Sequence, residues 1–108
     1  MAKPKYRVLW SDDAEQDLLS IWRFSADEWS PATADEYLGH IYRICTMLPE
    51  VPELGRSRNE LSQGMYSFPV NRHIIYYRIT SRGIEILRVL PQRDDLHEIF
   101  DRISDSEL

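Results

Sequence analysis

Residues 65–90 read MYSFPVNRHIIYYRITSRGIEILRVL, and this stretch decides the fold. Met65 to Val70, His73 to Ile79 and Ile84 to Leu90 are rich in β-branched and aromatic residues and have the length of strands. Asn71-Arg72 separates the first two, and asparagine tolerates positive φ. Thr80-Ser81-Arg82-Gly83 separates the last two, with glycine supplying that conformation. Links this short cannot carry a crossover, so the three strands form an antiparallel meander. The two-residue period puts Ile75, Tyr77 and Ile79 on one face, which is assigned to the core. Ile74, Tyr76 and Arg78 fall on the other face, half apolar and half charged, so that face needs a cover. Pro91 has no N–H to give to a ladder, which ends the last strand there.

Toward the N-terminus, residues 49–64 hold Pro49, Pro52, Gly55 and Gly64 and read as an ordered loop. Before it, Ala34, Tyr37, Leu38, Ile41, Ile44, Cys45 and Leu48 recur at three- and four-residue intervals, one face of a helix. Ser30-Pro31 starts that helix, and Pro49 and Pro52 end it. An earlier stripe, Leu18, Ile21, Trp22, Ser25 and Trp29, marks a preceding helix. Asp12 at its N-cap would place Glu15 at the third helical position, a capping box. The short Ser-Pro link makes the two helices an antiparallel hairpin. Tyr6 to Trp10 reads as an opening strand, and Leu96, Ile99, Phe100 and Ile103 mark a short C-terminal helix over about 95–103. The expected architecture is α+β: an N-terminal strand, an αα-hairpin packed on an antiparallel β-sheet in the order β-α-α-β-β-β, and that last helix.

A chain of 108 residues fits one domain, with a core over about 6–93. No apolar run approaches the ~20 residues of a membrane span, and the start lacks the apolar stretch of a signal peptide. Cys45 is the lone cysteine, so an internal disulfide is excluded and a reducing, cytoplasmic setting is expected. Charge is divided unevenly. Residues 11–55 hold ten acids against Arg23 and Arg43, a local charge of −8. Residues 56–93 hold seven arginines against Glu60 and Glu85, a local +5, and the tail from Asp94 is acidic again. A basic sheet half beside an acidic helical half suits an anionic partner.

Several chemistries lack their residues. Neither a GxxxxGK[ST] nor a GxGxxG loop is present, and His40, His73 and His97 have no metal-ligand spacing. No metal, cofactor or catalytic residue is therefore assigned. Metal-free RNA cleavage needs a base, an acid and cations for the phosphate. His73 and His97 could serve as acid or base, with Arg72, Arg78, Arg88 and Arg93 as cations. Against this, both lysines lie at positions 3 and 5 and the chain is acidic overall, whereas RNA-binding proteins usually carry a basic balance.

Three runs of residues carry a resemblance. They are Ser11 to Trp22, Ala34-x-x-Tyr37-Leu38 and Pro52-Glu53-Leu54-Gly55-Arg56. The pattern continues through Ser67-Phe68-Pro69-Val70, Arg72-His73-x-Ile75-x-Tyr77-Arg78 and Gly83-Ile84-Glu85-Ile86-x-Arg88-Val89-Leu90. In order and spacing these resemble ParE toxins of the RelE/ParE superfamily over about residues 6–95. The resemblance implies a helical hairpin on an antiparallel sheet and a bacterial type II toxin–antitoxin system of plasmid or chromosomal stability. It implies a ParD-like antitoxin as partner in a hetero-oligomer, DNA contact only through that antitoxin, and DNA gyrase as the target, inhibited by binding. RelE-type relatives cleave mRNA on the ribosome with a lysine- and arginine-rich site. This chain has no lysine in its sheet region, and its acidic tail follows where that branch places catalytic groups.

Three roles follow as alternatives: a non-catalytic gyrase inhibitor, a metal-independent mRNA endonuclease, or a non-toxic module that binds antitoxin. Arg72, His73, Arg78, Arg88 and Arg93 are the candidate surface for target or antitoxin. Trp22, Trp29 and Tyr37 are the candidate antitoxin groove, with core packing as the other reading of the same aromatics. Pro91-Gln92-Arg93 stands where many relatives carry His-Gly/Gln-Arg, a departure that points to an altered target or reduced toxicity.

Overall fold

The computed structural model describes residues 7–92. Strand β1 (Arg7–Trp10) leads into helix α1 (Asp12–Glu28), then α2 (Pro31–Met47). Two 3₁₀ turns, Leu48–Glu50 and Pro52–Leu54, precede β2 (Arg56–Ser57), β3 (Met65–Val70), β4 (His73–Thr80) and β5 (Gly83–Pro91). The expected C-terminal helix over 95–103 and Arg93 lie outside the described residues.

The five-stranded sheet runs β1-β5-β4-β3-β2. The meander is antiparallel throughout, as its short turns require, with Asn71 at φ 52°. The whole sheet is mixed, because β1 joins β5 in parallel. The two helices intervene between β1 and the meander, a crossover long enough to bring the chain back in the same direction. Glycine at position 83 permits that pairing. Its φ is +152°, and a Cβ there would collide with the Arg7 carbonyl and lie 2.7 Å from the Arg7 nitrogen. The loop before the meander adds one unforeseen element, the two-residue β2 on the β3 edge.

Helix α1 begins one residue earlier than its carboxylates suggest. Ser11, not Asp12, is the N-cap: its Oγ accepts from the Ala14 N–H at 3.0 Å and donates to the Leu87 carbonyl at 2.8 Å. Its own N–H still donates to Ile86 O in the sheet, so one residue closes the ladder and caps the helix. Asp12, Asp13 and Glu15 then occupy the first turn, where the helix dipole favours them. Ser30 caps α2 as expected, accepting from Thr33 N–H at 3.1 Å ahead of Pro31.

Both stripes meet the sheet. Leu18 and Ile21 of α1 and Leu38, Ile41 and Cys45 of α2 pack with Ile75, Tyr77, Ile84, Ile86 and Val89 in the main core. Ile79 does not join them. At the far end of β4 it stays 40% exposed, beyond the cover of the helices. The register slips between Tyr76 and Tyr77, where Leu87 is the extra residue of β5. Beyond that slip, Leu90 joins Tyr76, Met65 and Leu61 in a second cluster, with Leu87 and Ile74 packed against it. The cover that the second face needed comes in part from the loop through Leu61. The same loop is pinned on its other side by Tyr77, whose hydroxyl donates to Pro52 O at 2.7 Å and accepts from Gly55 N–H at 3.0 Å. A Cβ at Gly55 would strike that hydroxyl and lie 2.9 Å from Ser67 O.

Candidate functional site

The structure divides the candidate arginines by what they touch. Arg88 on β5 makes a two-pronged contact with Asp17 of α1, Nε to Oδ2 at 2.7 Å and Nη2 to Oδ1 at 2.8 Å. The Val89 N–H donates to the same Oδ2 at 3.0 Å. Beyond the end of β1, Asp17 thus stands in for a neighbouring strand at the β5 edge. With side chains only 20% and 12% exposed, the pair is a clasp between helix and sheet. Donation to the Asp17 carboxylate also holds the Arg88 guanidinium above its ordinary pKa. Arg78 faces solvent and pairs across the ladder with Glu85 at 2.7 Å. Arg88 is thus closed off, whereas Arg78 holds an exposed pair at the surface.

Arg72 differs. It lies exposed in the β3–β4 turn and has no ion pair among the described residues. The turn itself is held from β5: Gln92 N–H donates to Arg72 O, and its side-chain amide donates to Asn71 O, both at 3.0 Å. This turn forms one wall of a cleft of about 480 Å³, whose other wall is the tip of the helical hairpin. Phe24, Ser25, Trp29, Thr33 and Tyr37 line it from the helices, and Asn71, Arg72 and His73 from the sheet.

Local sequence explains each wall. Ser25 takes the buried position of the α1 stripe, so Phe24 beside it points away from the core and stays 60% exposed. Trp29 is the C-cap of α1, at the bend into Ser30-Pro31, and is 57% exposed. The two rings meet edge to face with centroids 6.5 Å apart, an arrangement favoured by their quadrupoles. Bridging the two walls, Tyr37 Oη of α2 lies 2.6 Å from His73 Nδ1 and 3.2 Å from Val70 O. The phenol has one proton: donated to Val70 O, it leaves the tyrosine oxygen to accept from the His73 Nδ1–H. Burial pushes the His73 pKa down, partly offset by the negative charge of Asp17. Burial likewise raises the Tyr37 phenol, opposed by the neighbouring Arg72.

The candidate residues are therefore only partly brought together. Trp29, Tyr37, Arg72 and His73, drawn from two separate expectations, share the cleft. Trp22 is half-buried against the core and donates through Nε1 to Asp35 Oδ1 at 2.8 Å, tying α1 to α2. Arg78 and Arg88 belong to other surfaces. Sequence reasoning missed Phe24 and Asp17. A large aromatic flanking a serine on the apolar stripe was a usable signal for Phe24. Nothing local marks Asp17, whose partner is 71 positions away.

Fold and cleft together define a small α+β domain that presents an open, aromatic-lipped surface with, among the described residues, one arginine free of an ion pair. The chain belongs to the ParE toxin family: a family model described as "ParE toxin of type II toxin-antitoxin system, parDE" matches residues 8–96. Toxin ParE3 of Caulobacter vibrioides is 29% identical over 90 residues, covering 83% of this chain and 90% of that protein. A solved chain from the chromosomal ParDE TA system of P. aeruginosa shares the fold, with a TM-score of 0.72 at 19% identity. That match covers 84% of this chain and 100% of the other. Among the described residues, no helix is long and apolar enough to cross a membrane.

Proposed function

We propose that this chain is the toxin of a two-protein module, held inactive by a ParD-like antitoxin and, once released, blocking DNA gyrase by binding to it. The family match over residues 8–96 carries this reading. The disposition of the arginines supports binding over phosphodiester cleavage. Arg88 is committed to Asp17 in a largely buried pair, and Arg78 lies on a different surface paired with Glu85, so two of the cations assigned to a developing phosphate charge are placed elsewhere. DNA enters only through the antitoxin, and the site of action is the cytoplasm. The test is purified gyrase with the isolated chain. Loss of supercoiling, or accumulation of cleaved DNA, is the expected result. Unchanged supercoiling at saturating protein rejects gyrase as target. If overexpression is also harmless while a neighbour-encoded protein co-purifies tightly, the role reduces to an antitoxin-binding module.

One observation favours a second reading. His73, Tyr37 and Arg72 bring an imidazole, a phenol and a guanidinium into one cleft, the minimum set for metal-free RNA cleavage. Translating ribosomes mixed with the chain would then yield mRNA fragments that disappear with His73→Ala. Intact message excludes this reading.

A further inference from the structure

We propose that the cleft at the hairpin tip is an anchor site for a partner polypeptide segment that carries an apolar side chain beside a carboxylate. The apolar group sits against Phe24, Trp29 and Tyr37, and the carboxylate meets the Arg72 guanidinium. The inference rests on reading the chain as half of a two-protein module and names what that partner presents.

Four observations converge on the cleft. Phe24 and Trp29 are the most exposed large apolar side chains among the described residues, and they lie together. Apolar exposure concentrated in a concave patch marks an interaction site, whereas scattered exposure does not. Among the described residues, Arg72 is the one arginine on the cleft wall and no acidic residue lines the cleft. The uncompensated charge therefore selects an anion, and a planar guanidinium suits a carboxylate in a forked contact. Thr33 adds the first turn of α2, which carries no acidic side chain, so the helix dipole reinforces the same sign. Finally, both walls are fixed in advance. Two hydrogen bonds from Gln92 hold the Arg72 turn, and the Tyr37–His73 contact joins helix to sheet at the cleft. Little order remains to be imposed on this side of the contact when the partner binds. Buried aromatic anchors next to an arginine are the usual composition of the residues that dominate interface affinity.

The occupant follows from charge. Among the described residues the cleft offers a single positive group set in an apolar slot, so it fits one anionic group attached to apolar surface. A polyanion would leave most of its charge unmatched there.

The experiment uses the full chain and a capped hexapeptide, acetyl-Gly-Ser-Phe-Asp-Ser-Gly-amide, with an Asn-for-Asp counterpart as control. Titration is followed by NMR at the indole N–H groups of the three tryptophans. The Asp peptide is expected to shift the Trp29 signal saturably, leaving Trp10 and Trp22 still. The Asn peptide, or Arg72→Ala, should bind about 5- to 10-fold more weakly, as loss of a charge-assisted contact predicts. Trp29→Ala, followed by the ring-proton signals of the peptide's phenylalanine, should abolish binding, and Arg82→Ala, an exposed arginine outside the cleft, should leave it unchanged. Equal binding of the two peptides overturns the proposal, as does an Arg72→Ala chain that binds normally. So does the absence of any shift up to roughly 10 mM, a weak-affinity limit for a short anchor. Concentration-dependent shifts at Trp29 without peptide would assign the cleft to a second copy of the chain instead. Failure of the peptide with gyrase still inhibited removes only the anchor site. Peptide binding with gyrase untouched removes only the proposed target.

Discussion

Arg72 and Arg88 come from the same basic half of the sequence, and the fold treats them in opposite ways. Arg88 is closed off: Asp17 reaches down from α1, takes both prongs of the guanidinium and satisfies the Val89 N–H at the sheet edge. Arg72 is left open on a turn, with two exposed aromatics opposite and no carboxylate in reach among the described residues. Identical side chains thus form a clasp in one place and stay open to solvent in the other. The cause is the neighbourhood each receives. A positive patch counted along the sequence overstates the charge that a partner meets.

The sharpest way to break this comparison is to open the clasp. Asp17→Ala strands a mostly buried cation and an edge N–H together, and unfolding in urea should show a loss of about 3 kcal/mol. Asp17→Leu combined with Arg88→Met should recover most of that loss, since replacing both partners removes the stranded charge. If the single variant is as stable as the parent, Arg88 is no clasp and returns to the free basic surface.

On the cleft side, Tyr37→Phe removes the hydroxyl that contacts His73 and Val70, and should cost about 1 kcal/mol by the same measurement. His73 then gives a pH effect. An unfolded imidazole titrates near 6.5, and burial holds the folded one lower. The stability gained from keeping it neutral is complete above the unfolded value and is lost as pH falls below it toward the folded one. Denaturation midpoints should fall between about pH 7.5 and pH 5.5, and His73→Gln should flatten that part of the slope. A midpoint that rises over this interval, or an unchanged slope in the variant, contradicts the burial of a neutral imidazole.

The smallest effects are expected where charge is exposed. Arg72→Ala and Arg78→Ala should each change stability by less than about 1 kcal/mol, because solvent screens an open pair and Arg72 has none to lose among the described residues. Differential scanning calorimetry would detect a larger change in Arg72→Ala, which would mean that this arginine also has a structural partner.

Much of the architecture was legible because it rests on local rules. The meander follows from Asn71-Arg72 and the glycine at position 83, and the hairpin from the stripe Ala34 to Leu48 and the Ser30-Pro31 start. The cap on α1 was misplaced because Ser11 has two jobs, and its role in the sheet ladder cannot be seen from its neighbours in sequence. Ile79 was assigned to the core by period alone, which tells which face a residue takes but not how far the facing layer extends. The cleft was half legible. Its tryptophan, tyrosine, arginine and histidine were all singled out, yet as two separate surfaces, since nothing in the sequence says that the end of one helix meets a strand turn some forty residues later.

The sequence by itself determined the two long helices, the opening strand and the meander, their order and the uneven charge, because these depend on propensity, periodicity and turn chemistry within a few residues. Only the tertiary structure decided which strand closes against β1, which arginines are neutralised and which aromatics remain outside. Those outcomes depend on contacts between distant residues, and a side chain's charge or apolar surface counts for a partner only after the fold has used what it needs.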